Sequence, residues 1–429
     1  MCSIGEDDFG DDGGAHSMEG HKLDSQDNIL NGICKKCNKN EIVVKMDFKE
    51  PECKDCFLEN VRHKFRATLG SSKILHRDAE VLVVLDGSSE SVVLLDMIHF
   101  AVTQNNYKRL RCIPRVLYID EEFLYDSEDF TLKMIKEIVS NYDLKVYSVS
   151  LASNCSPVDL NDYRALVESE QSFKKNLSNF KTQTSQQDFL LKARYNRIKR
   201  SAEQLGINFV LLPDITPSLA ITLLNDVILG RGGSSALDVS FLDDRNENLK
   251  MIRPIKDLST KEVAAYVRLT SLKFPGRRTF GDENGAHASL QNLTKAFIEN
   301  LQNNFPSTVS TVFRTGDKLA LKVRSPNKED LNGTVESMDN LTINEDKCVC
   351  CNSKLDYFNS KTLFATEFSR LVSNTSSELL SDLQNLEELT KAQLEGVENC
   401  AFKGLCHGCR NIFRNILKKP KALHFPPCI

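Results

Sequence analysis

No stretch of this 429-residue chain approaches the roughly 20 consecutive apolar residues that a membrane-spanning helix needs, so no helical membrane anchor is expected. No secretory leader is expected either. The first residues are acidic where such a leader is basic and then apolar, and a cytosolic address is the expectation. No repeat of fixed period runs through the sequence, which sets a solenoid aside. Nor does one charge dominate: 55 Lys and Arg against 59 Asp and Glu leave a net charge of -4, and with 41% hydrophobic residues the make-up is that of an ordinary globular protein. At roughly 100–200 residues per domain, the length allows two or three modules and one sizeable core.

What charge there is falls unevenly. Residues 1–30 hold eight acidic side chains (Glu6, Asp7, Asp8, Asp11, Asp12, Glu19, Asp24, Asp27) against Lys22 alone, which leaves the remainder mildly basic. Such a leader reads as a solvated acidic tail, and the basic remainder permits a nucleic-acid partner. The chain also carries 14 cysteines, which a reducing compartment keeps as thiols and makes available for metal ligation.

Two CxxC pairs, Cys34/Cys37 and Cys53/Cys56, stand fifteen residues apart. Each two-residue spacer lets one tight turn present both sulfurs to a single ion, so the four suit tetrahedral zinc; the alternative is four unpaired buried cysteines. A second pair of turns, Cys348/Cys351 and Cys406/Cys409, repeats the pattern across a longer loop, with Cys350, Cys400 and His407 as alternative ligands. Both sites would be closed and structural.

Between them the pattern alternates. Strands are expected at 80–87, 115–120, 145–151 and 208–212, and amphipathic helices at 92–102, 127–142 and 217–229, the last ended by Gly230, Gly232 and Gly233. A further helix follows Ser259 or Thr260, with Glu262 placed for a capping box. This alternation predicts an α/β fold, a mostly parallel sheet covered on both faces. The expected division is an acidic leader (1–30), a zinc module (31–70), an α/β domain (71–324) with a polar insertion at 153–188, a linker (325–347), and a cysteine-rich module with a basic tail (348–429) holding a helix at 376–392.

The turn after the first strand, Asp86-Gly87-Ser88-Ser89-Glu90-Ser91, is the candidate chemical site, since small residues at a strand-to-helix turn can cradle phosphates with backbone N–H groups. The plainer reading is a polar turn with a Ser or Asp cap. Downstream, Lys192, Arg194, Arg197, Lys199 and Arg200 fall within nine residues. Along one side of a helix they would neutralise RNA phosphates, or else form a solvated face. Lys64 and Arg66 join them as tRNA-contact candidates, followed by Arg253, Arg277 and Arg278. The apolar helix around Leu219, Ile221, Leu223 and Leu224 suits a subunit interface and core packing equally well.

The loop resembles a worn copy of the PP-loop of ATP pyrophosphatases, whose pattern is Ser-Gly-Gly-x-Asp-Ser. The whole chain resembles the cytoplasmic tRNA 2-thiolation protein 2 family, through the first cysteine module running into Phe57 and His63-Lys-Phe-Arg66, residues 85–91, 229–233 and 253–262, the long segment Ser289–Leu319, and the late cysteine pairs. The resemblance implies a PP-loop, Rossmann-like sheet and a subunit that pairs with a catalytic thiolase acting on the wobble uridine of tRNA. It further implies sulfur delivered by a thiocarboxylated ubiquitin-like carrier. Active relatives hold ATP in the loop, adenylate a nucleobase oxygen, and let a sulfur donor displace AMP.

Here only Gly87 and Ser91 keep the loop pattern, while Asp86, Ser88 and Glu90 depart from it. A carboxylate about 4 Å from a phosphate charge costs roughly 4 kcal/mol at an effective dielectric of 20, so Asp86 opposes ATP unless a magnesium ion bridges them. No cysteine lies between Cys155 and Cys348, and the stretch where the superfamily carries core cysteines reads Leu191-KARYNRIKR-Ser201. Neither ATP nor an iron–sulfur cluster is expected on this chain, and no catalytic residue. The alternatives are an ATP-dependent tRNA-adenylating or thiolating enzyme with an altered loop, and a zinc-dependent scaffold that meets no tRNA.

Overall fold

The computed structural model describes residues 32–323 apart from 48, 105–108, 126–129, 165–166, 247 and 282–287, together with 347–348, 350–353 and 405–414. The acidic leader, nearly all of the expected linker, the helix expected at 376–392, Cys400 and the tail lysines Lys418, Lys419 and Lys421 lie outside the described residues. Two compact units divide at Leu58/Glu59. The first contains the early cysteine module, two short antiparallel bridges (Ile33 with Glu41, Val44 with Glu52) and the opening turn of helix α1 (Lys54–Ser72).

The second unit is built on seven strands: β1 (Ala79–Leu85), β2 (Cys112–Asp120), β3 (Lys145–Ser150), β4 (Val158–Asp159), β5 (Phe209–Leu211), β6 (Leu242–Asn246) and β7 (Leu249–Ile252). Their order is β4-β3-β2-β1-β5-β7-β6. The five inner strands run parallel, and only the two edge strands pair antiparallel. Composition explains the arrangement. β1 reads AEVLVVL and is buried along nearly its whole length, as a central parallel strand covered on both faces must be. β4 is two residues long and β6 carries Asp243, Asp244 and Arg245, charged and short features that keep an edge from recruiting other strands. The chain leaves β1 for β2 and β3 on one side and returns to β5 on the other. The β1/β5 boundary is therefore the switch point, where open α/β sheets keep their ligand crevice at the C-terminal strand ends.

The helices are α2 (Ser89–Thr103), α3 (Phe130–Val139), α4 (Val167–Ser178), α5 (Gln183–Leu205), α6 (Thr216–Ile228), α7 (Gly232–Val239), α8 (Thr260–Thr270), α9 (Leu290–Asn304), α10 (Pro306–Val323) and α11 (His407–Arg414). The alternation expected from the sequence is present. The stretch 153–188 holds β4, all of α4 and the start of α5, more order than its polar composition suggested, because Phe173, Leu177 and Phe180 pack on Phe189 in the core. Gly232 and Gly233, read as helix terminators, instead open α7; the reversal after α6 is made by Gly230 alone, at φ +79°. Helix α6 is covered within the chain. Leu219 and Leu223 join Ile298, Val309 and Phe313 of α9 and α10, and Gly316 lets α10 close on Leu223, so core packing accounts for this helix.

The late cysteines are not set apart. Cys348, Cys350, Cys351, Cys406 and Cys409 belong to the same apolar cluster as Leu82, Leu117, Val149 and Val210 of the sheet and Leu190 of α5. Helix α8 begins with the expected capping box: Ser259 Oγ accepts from Glu262 N at 3.2 Å, and Glu262 Oε2 accepts from Ser259 N at 3.1 Å. Ser259→Ala is expected to destabilise the protein by about 1 kcal/mol, read as a lower urea midpoint at unchanged slope.

Candidate functional site

The loop after β1 satisfies itself. Gly87 sits at φ +81°, a conformation that favours glycine, and an added Cβ would lie 3.1 Å from Pro275 Cγ. Asp86 Oδ1 accepts from Ser88 N at 3.1 Å and from Ser88 Oγ at 2.6 Å, while Ser88 Oγ in turn caps α2 by accepting from Ser91 N at 3.2 Å. Two of the donors that a phosphate would meet at such a turn are therefore taken by the chain's own oxygens. The segment after α8 lies across the loop: Gly276 N donates to Gly87 O at 3.1 Å, and Arg277 Nη1 pairs with Asp86 Oδ2 at 3.1 Å. Burial works against the Asp86 charge, but Arg277 and the Ser88 bonds outweigh it and hold the carboxyl below its usual range.

Beside the loop, a cavity of about 200 Å³ opens at the ends of β1, β2 and β5, with Asp86, Tyr118, Lys192, Asp226, Asp238 and Cys351 among its walls. Lys192 is 8% exposed and, among the described residues, has no ion pair or hydrogen bond. Burial disfavours its charge, yet Asp238 and Asp226 raise its pKa above the ordinary lysine value. Asp226 Oδ2 and Asp238 Oδ2 are buried without a hydrogen-bond partner among the described residues. Burial, and then the neighbouring Asp238, push Asp226 up to about 7. On the far wall Arg245 binds Asp238 at 2.6 Å and Asp243 at 2.6 and 2.9 Å, and Tyr195 donates to Asp243.

The two cysteine groups are built to one plan. In each, the four sulfurs lie within 4.8 Å of one another, with Cys37 and Cys53 at 3.7 Å and Cys351 and Cys406 at 3.6 Å. A metal–sulfur bond of ~2.3 Å in a tetrahedron separates its sulfurs by ~3.8 Å, so the spacing fits one mononuclear ion such as zinc. A cubane cluster, with four irons between its thiolates, needs a wider set and does not fit. The first turn of each group ends in an asparagine at positive φ, Asn38 (51°) and Asn352 (55°), whose N–H donates to the leading cysteine carbonyl at 2.8 Å. The second pair in each opens a helix, α1 or α11, whose N-terminal dipole favours thiolate. Backbone N–H groups of Cys53 and Cys37 pull the Cys34 thiol down to about 6.

Closing the second group requires close backbone approach. A Cβ on Gly408 would lie 2.5 Å from the Arg231 side chain, and one on Gly230 would lie 2.6 Å from the His407 ring. Arg231, itself buried, forms a bidentate pair with Asp188 and reaches within 4.0 Å of Cys409 Sγ. Of the alternative ligands, Cys350 and His407 are buried nearby but outside the foursome.

The basic run on α5 does not form the single solvent face expected for it. Lys192 and Arg197 are buried, the latter donating to Cys155 O, and Arg194 pairs with Glu121 at 2.5 Å. Lys199 and Arg200, like Arg194, are half-buried, Arg200 bonding to Asn154 at 3.3 Å. The reason is that α5 packs against the sheet and also carries the late cysteine turns, so its buried arc is wide. On α1, Lys64 pairs with Glu262 at 2.8 Å and Arg66 donates to Gln104 at 3.0 Å. Arg253 is buried against Asp214 at 3.0 Å, whereas Arg277 and Arg278 are exposed at the mouth of the cavity. Sequence reasoning missed Asp226, Asp238 and Asp243, single acids in otherwise ordinary elements. The asparagine following the first CxxC of each group was the one legible signal it passed over.

The sequence profile described as cytoplasmic tRNA 2-thiolation protein 2 matches residues 289–411. The cytoplasmic tRNA 2-thiolation protein 2 of Drosophila pseudoobscura pseudoobscura is 43% identical over 420 residues, covering 96% of this chain and 98% of its own. That of Drosophila melanogaster is 43% identical over 418 residues, with the same coverages. Among solved structures, the U34-tRNA thiolase NcsA from Methanococcus maripaludis, with its 4Fe–4S cluster, aligns at TM-score 0.49 and 16% identity, covering 69% of this chain and 89% of its own. The NMN synthetase from Francisella tularensis aligns at TM-score 0.35 and 9% identity, covering 66% and 99%.

Two outcomes are expected here. The unaltered protein should bind two metal equivalents, with Cys34→Ser and Cys351→Ser each losing one by elemental analysis, and Cys351→Ser lowering the thermal midpoint further because all four of its sulfurs are buried. Asp243 is the pH probe. Burial opposes its charge, but the Arg245 bonds and the nearby Arg253 hold its pKa at about 2, below the ordinary value of 3.8. A carboxyl depressed in the fold contributes stability above its unfolded pKa that is lost as pH falls through the folded one, here between pH 4 and pH 2. Asp243→Asn should therefore cost about 2 kcal/mol at pH 7 in urea unfolding, shrinking across that acidic window.

Proposed function

The chain belongs to the cytoplasmic tRNA 2-thiolation protein 2 family, and from that premise we propose that it is a non-catalytic, cytosolic subunit of the machinery that 2-thiolates the wobble uridine of tRNA. It pairs with a catalytic PP-loop thiolase, which receives sulfur from a thiocarboxylated ubiquitin-like carrier. The observation that carries the non-catalytic part is the loop: Asp86 takes its Ser88 donors and Arg277 caps the carboxylate, an arrangement that opposes triphosphate. Supporting it, the eight clustered cysteines are arranged as metal ligands, in closed sites that leave none of these eight free to carry sulfur. Zinc held by Cys34, Cys37, Cys53 and Cys56, and by Cys348, Cys351, Cys406 and Cys409, would supply folding energy and no reaction step. Pairing is supported by Leu290, Leu293 and Phe297, which form an apolar stripe on α9 at 40–55% exposure.

A second reading, an enzyme with an altered loop, draws on the cavity, where Lys192 and the outer oxygens of Asp226 and Asp238 stand unpartnered among the described residues. The two separate by titration of the isolated chain with ATP and magnesium, for which the first reading expects no binding and no pyrophosphate release. Asp86→Ala, assayed in the complex reconstituted with the thiolase, should leave wobble thiolation within about twofold of the unaltered protein. Loss of modified tRNA despite normal assembly would transfer the chemistry to this loop.

A further inference from the structure

The opposite end of the sheet, where the parallel strands begin, carries cations that the fold does not use. Arg77 precedes β1, and Arg109 and Arg111 precede β2; Asp78 N donates to Arg111 O at 3.0 Å and holds the two segments side by side. The three arginines line one surface cleft of about 490 Å³. All three are exposed, and among the described residues none of their guanidinium groups has an ion pair or a hydrogen bond. A neighbouring cleft shares Arg109 and extends the basic face to His99 and Lys145. The acids within reach are few: Asp78 in the first cleft and Asp143 in the second, since Glu80 is taken by Arg115 at 2.5 Å.

Helix C-termini favour a nearby cation by roughly 0.3–1 kcal/mol, which accounts for Lys73 after α1 but not for three guanidiniums around one cleft at strand starts. Like charges gathered without partners repel, and the arrangement becomes favourable only when an anion with several charged oxygens sits among them. A guanidinium fork matches phosphate oxygens two at a time, and Ile113, 47% exposed in the same cleft, offers an apolar shelf for a sugar or base. We infer that the cleft of Arg77, Arg109 and Arg111 binds the phosphodiester backbone of RNA. This rests on the reading of the chain as a tRNA-thiolation subunit and moves the RNA contact from α5 to the N-terminal edge of the sheet.

The test measures tRNA binding by the full chain, alone and with its thiolase partner, by fluorescence anisotropy across a salt series. Combining Arg77→Glu, Arg109→Glu and Arg111→Glu should weaken binding at least tenfold and flatten the dependence of log K on log salt by about two to three units, with the thermal midpoint unchanged. The corresponding Arg→Gln triple, which adds no negative charge, should give a smaller loss in the same direction. Affinity within twofold of the unaltered protein for both triples would overturn this site while leaving the functional reading intact. No tRNA binding by the unaltered protein in either form would overturn both. Vesicles of phosphatidylserine separate a membrane surface: loss of vesicle binding with RNA affinity retained would also overturn the inference.

Discussion

A metal ion held by four thiolates carries two surplus negative charges, and placing such a group inside an α/β core is tolerable only where cations are buried beside it. The second cysteine group is in that position, among leucines and valines of the sheet. Among the described residues, the buried cations that meet the requirement are Arg231, within 4.0 Å of Cys409 Sγ, and Lys192, which lines the same cavity as Cys351. Each then needs its own partners. Arg231 is fixed by Asp188, while Lys192 faces Asp226 and Asp238, and Arg245 answers Asp238 and Asp243. The charged lining of the cavity is thus a consequence of seating a thiolate site at the C-terminal ends of the strands.

The same constraint explains what could be read from the sequence. Four of the five inner strands were legible because a parallel strand buried on both faces writes itself as an unbroken apolar run, as Val81 to Leu85 does, whereas the four-residue β7 was too short to stand out. Helix α8 announced its start through Ser259 and Glu262, two residues whose mutual hydrogen bonds need no distant partner. The late cysteines were legible as ligands but not as core, since nothing in CxxC spacing says that a turn more than 140 residues downstream docks on α5. A helix covered on two sides also breaks the rule that charges face water. The positive run from Lys192 to Arg200 therefore divides between buried and half-buried positions.

The early module shows what the late one would be without that burden. It has the same asparagine and the same helix start, yet Cys37 and Cys56 are only half-buried, and the lysines of its first turn, Lys35 and Lys36, are exposed where they pair with Glu50 and Glu52. Similar local chemistry is half-buried in one place and fully buried in the sheet's core in the other, and the difference lies in the surroundings. It follows that the loop at Asp86 and the late cysteine site are not independent features. Both border the cavity, and both direct their polar atoms to partners supplied by this chain: Ser88 and Arg277 for the carboxylate, the other three sulfurs of its group for each thiolate. The end of the sheet where α/β proteins ordinarily present unsatisfied donors to a ligand has here turned many of them inward. Exposed charge without a partner is retained at the other end, where no packing requirement would keep it.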